Sequence, residues 1–239
     1  MGLLRGVFVT GTDTGVGKTV VAGAIAAALR EQGRRVAAFK PVVTGLEEPA
    51  VPAWPRDHEL LAAAAGTRVS AVTPHRFGPA VSPHLAAELA GVTLDLDAMV
   101  VAASAAAAEA RAEVLVVEGV GGLLVPLTAE HSVRDLAAVL GFPLVVAARP
   151  GLGTISHTLL TVEAARHAGL RVAAVVLTPW RAAPTVLELS NRATIGRRAG
   201  VAVAVLPGLP DGSPEALARG GAGLPLADWV AYSVQSGAT

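Results

Sequence analysis

The chain contains no cysteine. That excludes disulfides, a thiol nucleophile and any thiolate metal site. It also lacks an excess of charge, since 19 lysines and arginines balance 19 aspartates and glutamates. Neither nucleic acid nor an anionic membrane is therefore expected as the main partner. Residues 98–112 are apolar, but Glu109 and Arg111 interrupt them, and the stretch is too short to span a bilayer. Met1-Gly2-Leu3-Leu4-Arg5-Gly6 runs straight into a strand-like segment, so no signal peptide is expected. A cytoplasmic location is the expectation. His131, His157 and His167 are not spaced as metal ligands, and no serine–histidine–aspartate order stands out.

What is present is 239 residues, 52% of them hydrophobic and most of those alanine, valine or leucine. That suits one domain, residues 1–239, with a sizeable core. Strand-like runs lie at 6–10, 35–40, 114–118, 144–148, 172–177 and 201–206. Helix-length segments lie at 17–32, 57–65, 96–112, 132–140, 154–168 and 184–199. This alternation predicts an α/β fold, a mainly parallel sheet covered by helices on both faces. Residues 47–56 and 208–223 read as loops, and 224–234 as an amphipathic stretch. Ligands in such folds sit at the carboxyl ends of strands, where 10–19, 40–44 and 118–122 collect charged and hydroxylic residues.

The most telling of these is Gly11-Thr12-Asp13-Thr14-Gly15-Val16-Gly17-Lys18-Thr19, between an apolar strand and a helix. Glycines allow consecutive N–H groups to point at an anion, and the helix N-terminus adds partial positive charge. Lys18 can reach outer phosphates, and the Thr19 hydroxyl can ligate Mg²⁺. The usual pattern would place glycine at position 12, so this is a variant phosphate loop of a P-loop NTPase-like fold. Lys40, at the end of the second strand and before Pro41 and Gly45, lies at the same ligand edge. Glu118 closes the strand from Val114 and precedes Gly119-Val120-Gly121-Gly122, which suits an acidic Mg²⁺ partner. Asp57 begins a helix, as an N-cap or near a metal, and both can hold. Ser82-Pro83 reads as a helix start.

Together the loop, Lys40-Pro41-Val42, Ser82-Pro83-His84, Glu118-Gly119-Val120-Gly121-Gly122 and Gly151-Leu152-Gly153-Thr154 resemble dethiobiotin synthetase. The resemblance runs in order over about the first 170 residues, and the chain length agrees. It implies a homodimeric, Mg²⁺-dependent ligase of biotin synthesis that joins carbon dioxide to 7,8-diaminopelargonate at the expense of ATP. By similarity, Gly15, Val16, Gly17, Lys18, Thr19 and Val20 bind the nucleotide, with Asp57, Glu118, Gly119, Val120 and Gly121. Thr19, Asp57 and Glu118 would ligate Mg²⁺, and Lys18 and Lys40 would be catalytic. Thr14, Lys40, Thr44 and Ser82 would meet the diamine or its carbamate. Pro207, Gly208 and Leu209 would lie near the base.

Two departures stand out. Family members often carry Asn-Asp where this chain has Thr178-Pro179, and the asparagine reads the purine. A hydroxyl cannot present a donor and an acceptor as an amide does, so ATP is not expected to be strongly preferred. Ser156 replaces the usual asparagine of a Leu-Gly-x-x-Asn-His pattern, with no consequence assigned. Corrin amidating synthases share a similar loop but need a cysteine nucleophile and a second domain. Partition or septum-placement ATPases are the alternative class. They carry a second lysine where Asp13 stands, and a basic or amphipathic surface.

Overall fold

The computed structural model describes residues 4–49, 51 and 53–232. In chain order the elements are β1 (Arg5–Gly11), α1 (Lys18–Glu31), β2 (Val36–Phe39), β3 (Val42–Val43), α2 (Asp57–Ala65), α3 (Val69–Val72) and β4 (His75–Arg76). Then come α4 (Pro83–Leu89), α5 (Leu96–Glu109), β5 (Val114–Gly122), α6 (Val133–Leu140), β6 (Leu144–Ala148) and α7 (Thr154–His167). The chain continues through β7 (Val172–Trp180), α8 (Val186–Ala199), β8 (Ala202–Pro207), α9 (Pro214–Gly221), α10 (Leu226–Trp229) and β9 (Ala231–Tyr232).

The main sheet runs β2-β5-β1-β6-β7-β8, all parallel, with β9 antiparallel against β1. Its strands read as unbroken apolar runs because helices cover both faces. Alternate residues separate cleanly. Val7 and Val9, Val36 and Ala38, and Val114 and Val116 pack on α1, α2 and α9. Phe8, Ala37, Phe39, Leu115 and Val117 pack on α5, α6 and α7. The same parity carries Lys40 and Glu118 to the α1 side. From β1 the chain moves by α1 to β2 on one side, and from β5 by α6 to β6 on the other. The strand order thus reverses around β1, and a ligand crevice is expected at its carboxyl end.

Several sequence expectations need correction. Glu118 does not close its strand: β5 continues to Gly122, which pairs with Gly11 beyond a register shift. Asp57 is not an N-cap. It is the first helical residue, and the cap position is Arg56, whose N–H donates to the Glu59 carboxylate at 3.0 Å. The 208–223 segment is not all loop. Ser213 accepts the Ala216 N–H at 3.2 Å and Pro214 opens α9, whose face of Ala216, Leu217 and Ala218 is buried. The 224–234 stretch forms one helical turn, α10, and then β9; residues 233 and 234 lie outside the described ones. The small parallel pair β3-β4 had no counterpart in the sequence reading. Ser82 does stand at the N-cap of α4 with Pro83 following, though without a side-chain cap bond.

Candidate active site

The phosphate loop owes its shape to glycines at three points. A β-carbon on Gly11 would sit 2.7 Å from Val16 Cγ2 and 2.9 Å from Lys18 Cγ, so the loop folds directly over that α-carbon. Gly15 and Gly17 are left-handed, with φ of 70° and 92°, a region that favours glycine. Gly17 is the N-cap of α1, which leaves the first amides of the helix facing the loop. Lys18 Nζ crosses the loop and donates to the Asp13 carbonyl at 2.9 Å. Burial holds its pKa below the usual lysine range, against the pull of the Glu118 charge.

Beside the loop, one ammonium bridges two carboxylates. Lys40 Nζ lies 2.5 Å from Glu118 Oε1 and 2.8 Å from Asp57 Oδ2. Lys40 and Glu118 are buried, while the Asp57 side chain is about half exposed. The Thr19 hydroxyl donates to the same Glu118 oxygen at 2.9 Å. Burial alone would lower the pKa of Lys40, but Asp57 and Glu118 raise it above the ordinary lysine range. The Lys40 charge depresses Asp57, whereas burial raises Glu118. Glu118 Oε2 is buried with no hydrogen-bond partner. An orphaned carboxylate oxygen beside a hydroxyl and a second carboxylate suits Mg²⁺, which binds by one or two carboxylates plus waters and phosphates. Among the described residues no three acidic or histidine side chains form a metal cage.

These groups open into a cleft of about 870 Å³. Thr14, Gly15, Gly17, Val20, Thr44, Ser82, Val120 and Gly121 line it together with Lys18, Thr19, Lys40, Asp57 and Glu118. The sequence-derived set is therefore gathered, apart from two groups. Val16 and Gly119 are buried beneath the cleft, where a side chain on Gly119 would come within 2.7 Å of Val133. Thr178, Pro179, Pro207, Gly208 and Leu209 lie to the side, at the ends of β7 and β8. There the Thr178 methyl stands 2.7 Å from where a Gly17 side chain would begin, and Trp180 pairs with Pro207.

Two nearby residues carried no sequence signal. Arg149, just beyond β6, donates to the carbonyls of Thr14 and Gly15 at 3.3 and 3.4 Å and so braces the loop from outside. Trp54 also lines the cleft. No spacing rule links either to the motif, because the contacts join segments far apart in sequence. A second hollow of about 580 Å³ lies at the other end of β2 among Arg30, Arg34, Arg35 and Arg68. Its arginines are already engaged by Glu109, Glu113 and backbone carbonyls.

A family profile described as an AAA domain matches residues 5–216. An ATP-dependent dethiobiotin synthetase of Anaeromyxobacter dehalogenans (strain 2CP-1) is 49% identical over 176 residues, 73% of this chain and 76% of that protein. The protein of the same name from Bacillus licheniformis is 41% identical over 214 residues, covering 88% and 89% of the two chains. That from Bacillus subtilis (strain 168) is 35% identical over 202 residues, covering 84% and 85%.

Proposed function

This chain belongs to the dethiobiotin synthetase family, and from that premise we propose that it is an ATP-dependent dethiobiotin synthetase. It joins carbon dioxide to 7,8-diaminopelargonate and closes the cyclic urea, as a ligase forming C–N bonds. The observation that carries the reading is the meeting of Lys18, Lys40, Thr19, Asp57 and Glu118 around one cleft at the N-terminus of α1.

The chemistry begins when one amine of the diamine attacks carbon dioxide, giving a carbamate and releasing a proton. A carbamate oxygen then attacks the γ-phosphorus, and the nucleoside diphosphate leaves. The second amine attacks the carbonyl carbon of the resulting carbamic–phosphoric anhydride, phosphate departs, a proton is lost and the ring closes. No protein nucleophile is needed, so the site contributes alignment and charge. The loop amides and Lys18 hold the β- and γ-phosphates. Lys40 neutralises carbamate and transferring phosphoryl group, its ammonium kept charged by Asp57 and Glu118. Thr14, Thr44 and Ser82 orient the carbamate or diamine. Thr19, Asp57 and Glu118 would hold Mg²⁺, which when bound neutralises phosphate charge.

A homodimer in the cytoplasm fits the same reading. Leu152 and Leu160 of the α7 region are 92% and 62% exposed, apolar surface that a second copy would cover. No described helix is long and apolar enough to cross a membrane. With Thr178 in place of an amide, ATP is accompanied by CTP and GTP as usable co-substrates. Rates with the three nucleotides at saturating diamine check this, and a large ATP preference would refute it. The activity itself is tested by mass-spectrometric detection of dethiobiotin from diaminopelargonate, bicarbonate, Mg²⁺ and nucleotide. Lys40→Ala is expected to abolish product and largely keep nucleotide binding, since Lys18 remains. Near-normal turnover in that variant would remove Lys40 from the mechanism.

A further inference from the structure

The segment leading into α2 is docked on the segment that follows β8. The Gly212 N–H donates to the Ala53 carbonyl at 3.1 Å. Gly212 is confined to glycine by the same contact, because a β-carbon there would lie 2.8 Å from Pro55 Cδ and 3.3 Å from Trp54 Cε3. Trp54 lies at the cleft wall, partly exposed, and lines the same cavity as Thr19 and Val20. Val20, Trp54 and Leu209 all rest on the core layer formed by α1, α2 and α9. The Thr178–Pro179 corner, beside the cleft, packs on Gly17 and Gly208. A nucleotide whose phosphates lie on the loop would extend its base over the first turn of α1, towards Trp54.

Two polar side chains stand near the turn at 207–209. The Asp211 carboxylate accepts the Ser213 N–H at 2.9 Å, and Thr178 is buried. Trp54 offers an aromatic side chain at the cleft wall. We propose that Trp54 is the platform on which the nucleobase stacks, so that the nucleoside triphosphate is gripped by a surface indifferent to base identity. Every base has a π-face, which makes such stacking tolerant of base identity. The proposal rests on the cleft being a nucleoside triphosphate site. It adds a residue that would hold the base where the chain has no amide at 178.

The test compares ATP, CTP, GTP and UTP with inorganic tripolyphosphate, each with Mg²⁺, by isothermal titration of the full-length protein. Trp54→Ala is expected to weaken all four nucleotides by about tenfold, the scale of one base–aromatic stack, and to leave tripolyphosphate unchanged. Trp54→Leu, which keeps apolar packing against Gly212, should lose nearly as much, and Trp54→Phe should stay close to the parent. Nucleotides should quench tryptophan emission in the parent more than in Trp54→Phe, which keeps Trp180 and Trp229. Equal weakening of tripolyphosphate would overturn the proposal, since Trp54 would then act only by holding Asp57 in place. Unchanged nucleotide affinity in Trp54→Ala and Trp54→Leu would overturn it as well. Failure of the parent protein to bind any nucleotide would instead overturn the functional reading on which the proposal stands.

Discussion

Gly17 shows how one residue can serve backbone geometry and ligand chemistry together. Its φ of 92° belongs to the region that only glycine enters freely, and its missing side chain makes room for the Thr178 methyl. Gly17→Ala is therefore expected to cost about 1–3 kcal/mol in backbone strain and crowding, read as a lower denaturation midpoint, and to raise nucleotide KM. An unchanged midpoint would mean the loop relaxes elsewhere. The phosphate loop was legible from spacing alone, because amides, ammonium and hydroxyl must sit within one turn of a helix start. The bridge from Lys40 to Asp57 and Glu118 was legible only as an acidic and basic collection at strand ends. That one ammonium touches both carboxylates follows from strand order, which no local pattern reveals.

At the scale of elements, helix starts set the stability of the parts that frame the site. Ser213→Ala removes the side-chain cap of α9 and should cost about 1 kcal/mol, measured by urea denaturation; no loss would show the cap to be dispensable. At the start of α8, Glu188 accepts the Thr185 N–H at 2.7 Å, and this bond, more than the Thr185 hydroxyl, depresses its pKa. A carboxylate depressed in the folded state stabilises above its unfolded pKa of about 4.3 and loses that contribution as pH falls through the folded value. Glu188→Ala should thus lower the melting temperature at neutral pH. The gap from the parent should narrow below about pH 4.3, whereas a gap constant with pH would refute the linkage. The long helices and the six main strands were readable because burial on one or two faces writes a regular period. By contrast α9 escaped notice, since Gly208, Pro210, Gly212 and Pro214 surround its cap with turn residues.

For the whole molecule, the decisive feature is how closely the layer of α1, α2 and α9 is packed. A β-carbon on Gly221 would come within 2.9 Å of the Ala24 carbonyl carbon and closer still to its oxygen, so α9 rests directly on the backbone of α1. Gly221→Val should overpack this contact at a cost of about 1–3 kcal/mol. By displacing α9 and the turn before it, the substitution should also weaken nucleotide binding. Calorimetric melting together with nucleotide titration checks both effects, and a destabilised variant with parental affinity would uncouple them. The amino-acid sequence by itself determined the α/β class, the phosphate loop and the family, because each depends on short-range periodicity or on a contiguous motif. The tertiary structure alone decided that Glu118 lies within a continuing strand, that Lys40 spans two carboxylates and that Trp54 meets Gly212. Those facts depend on which segments become neighbours once the strand order places β5 between β1 and β2, and the energy that chooses neighbours is shared across the whole core.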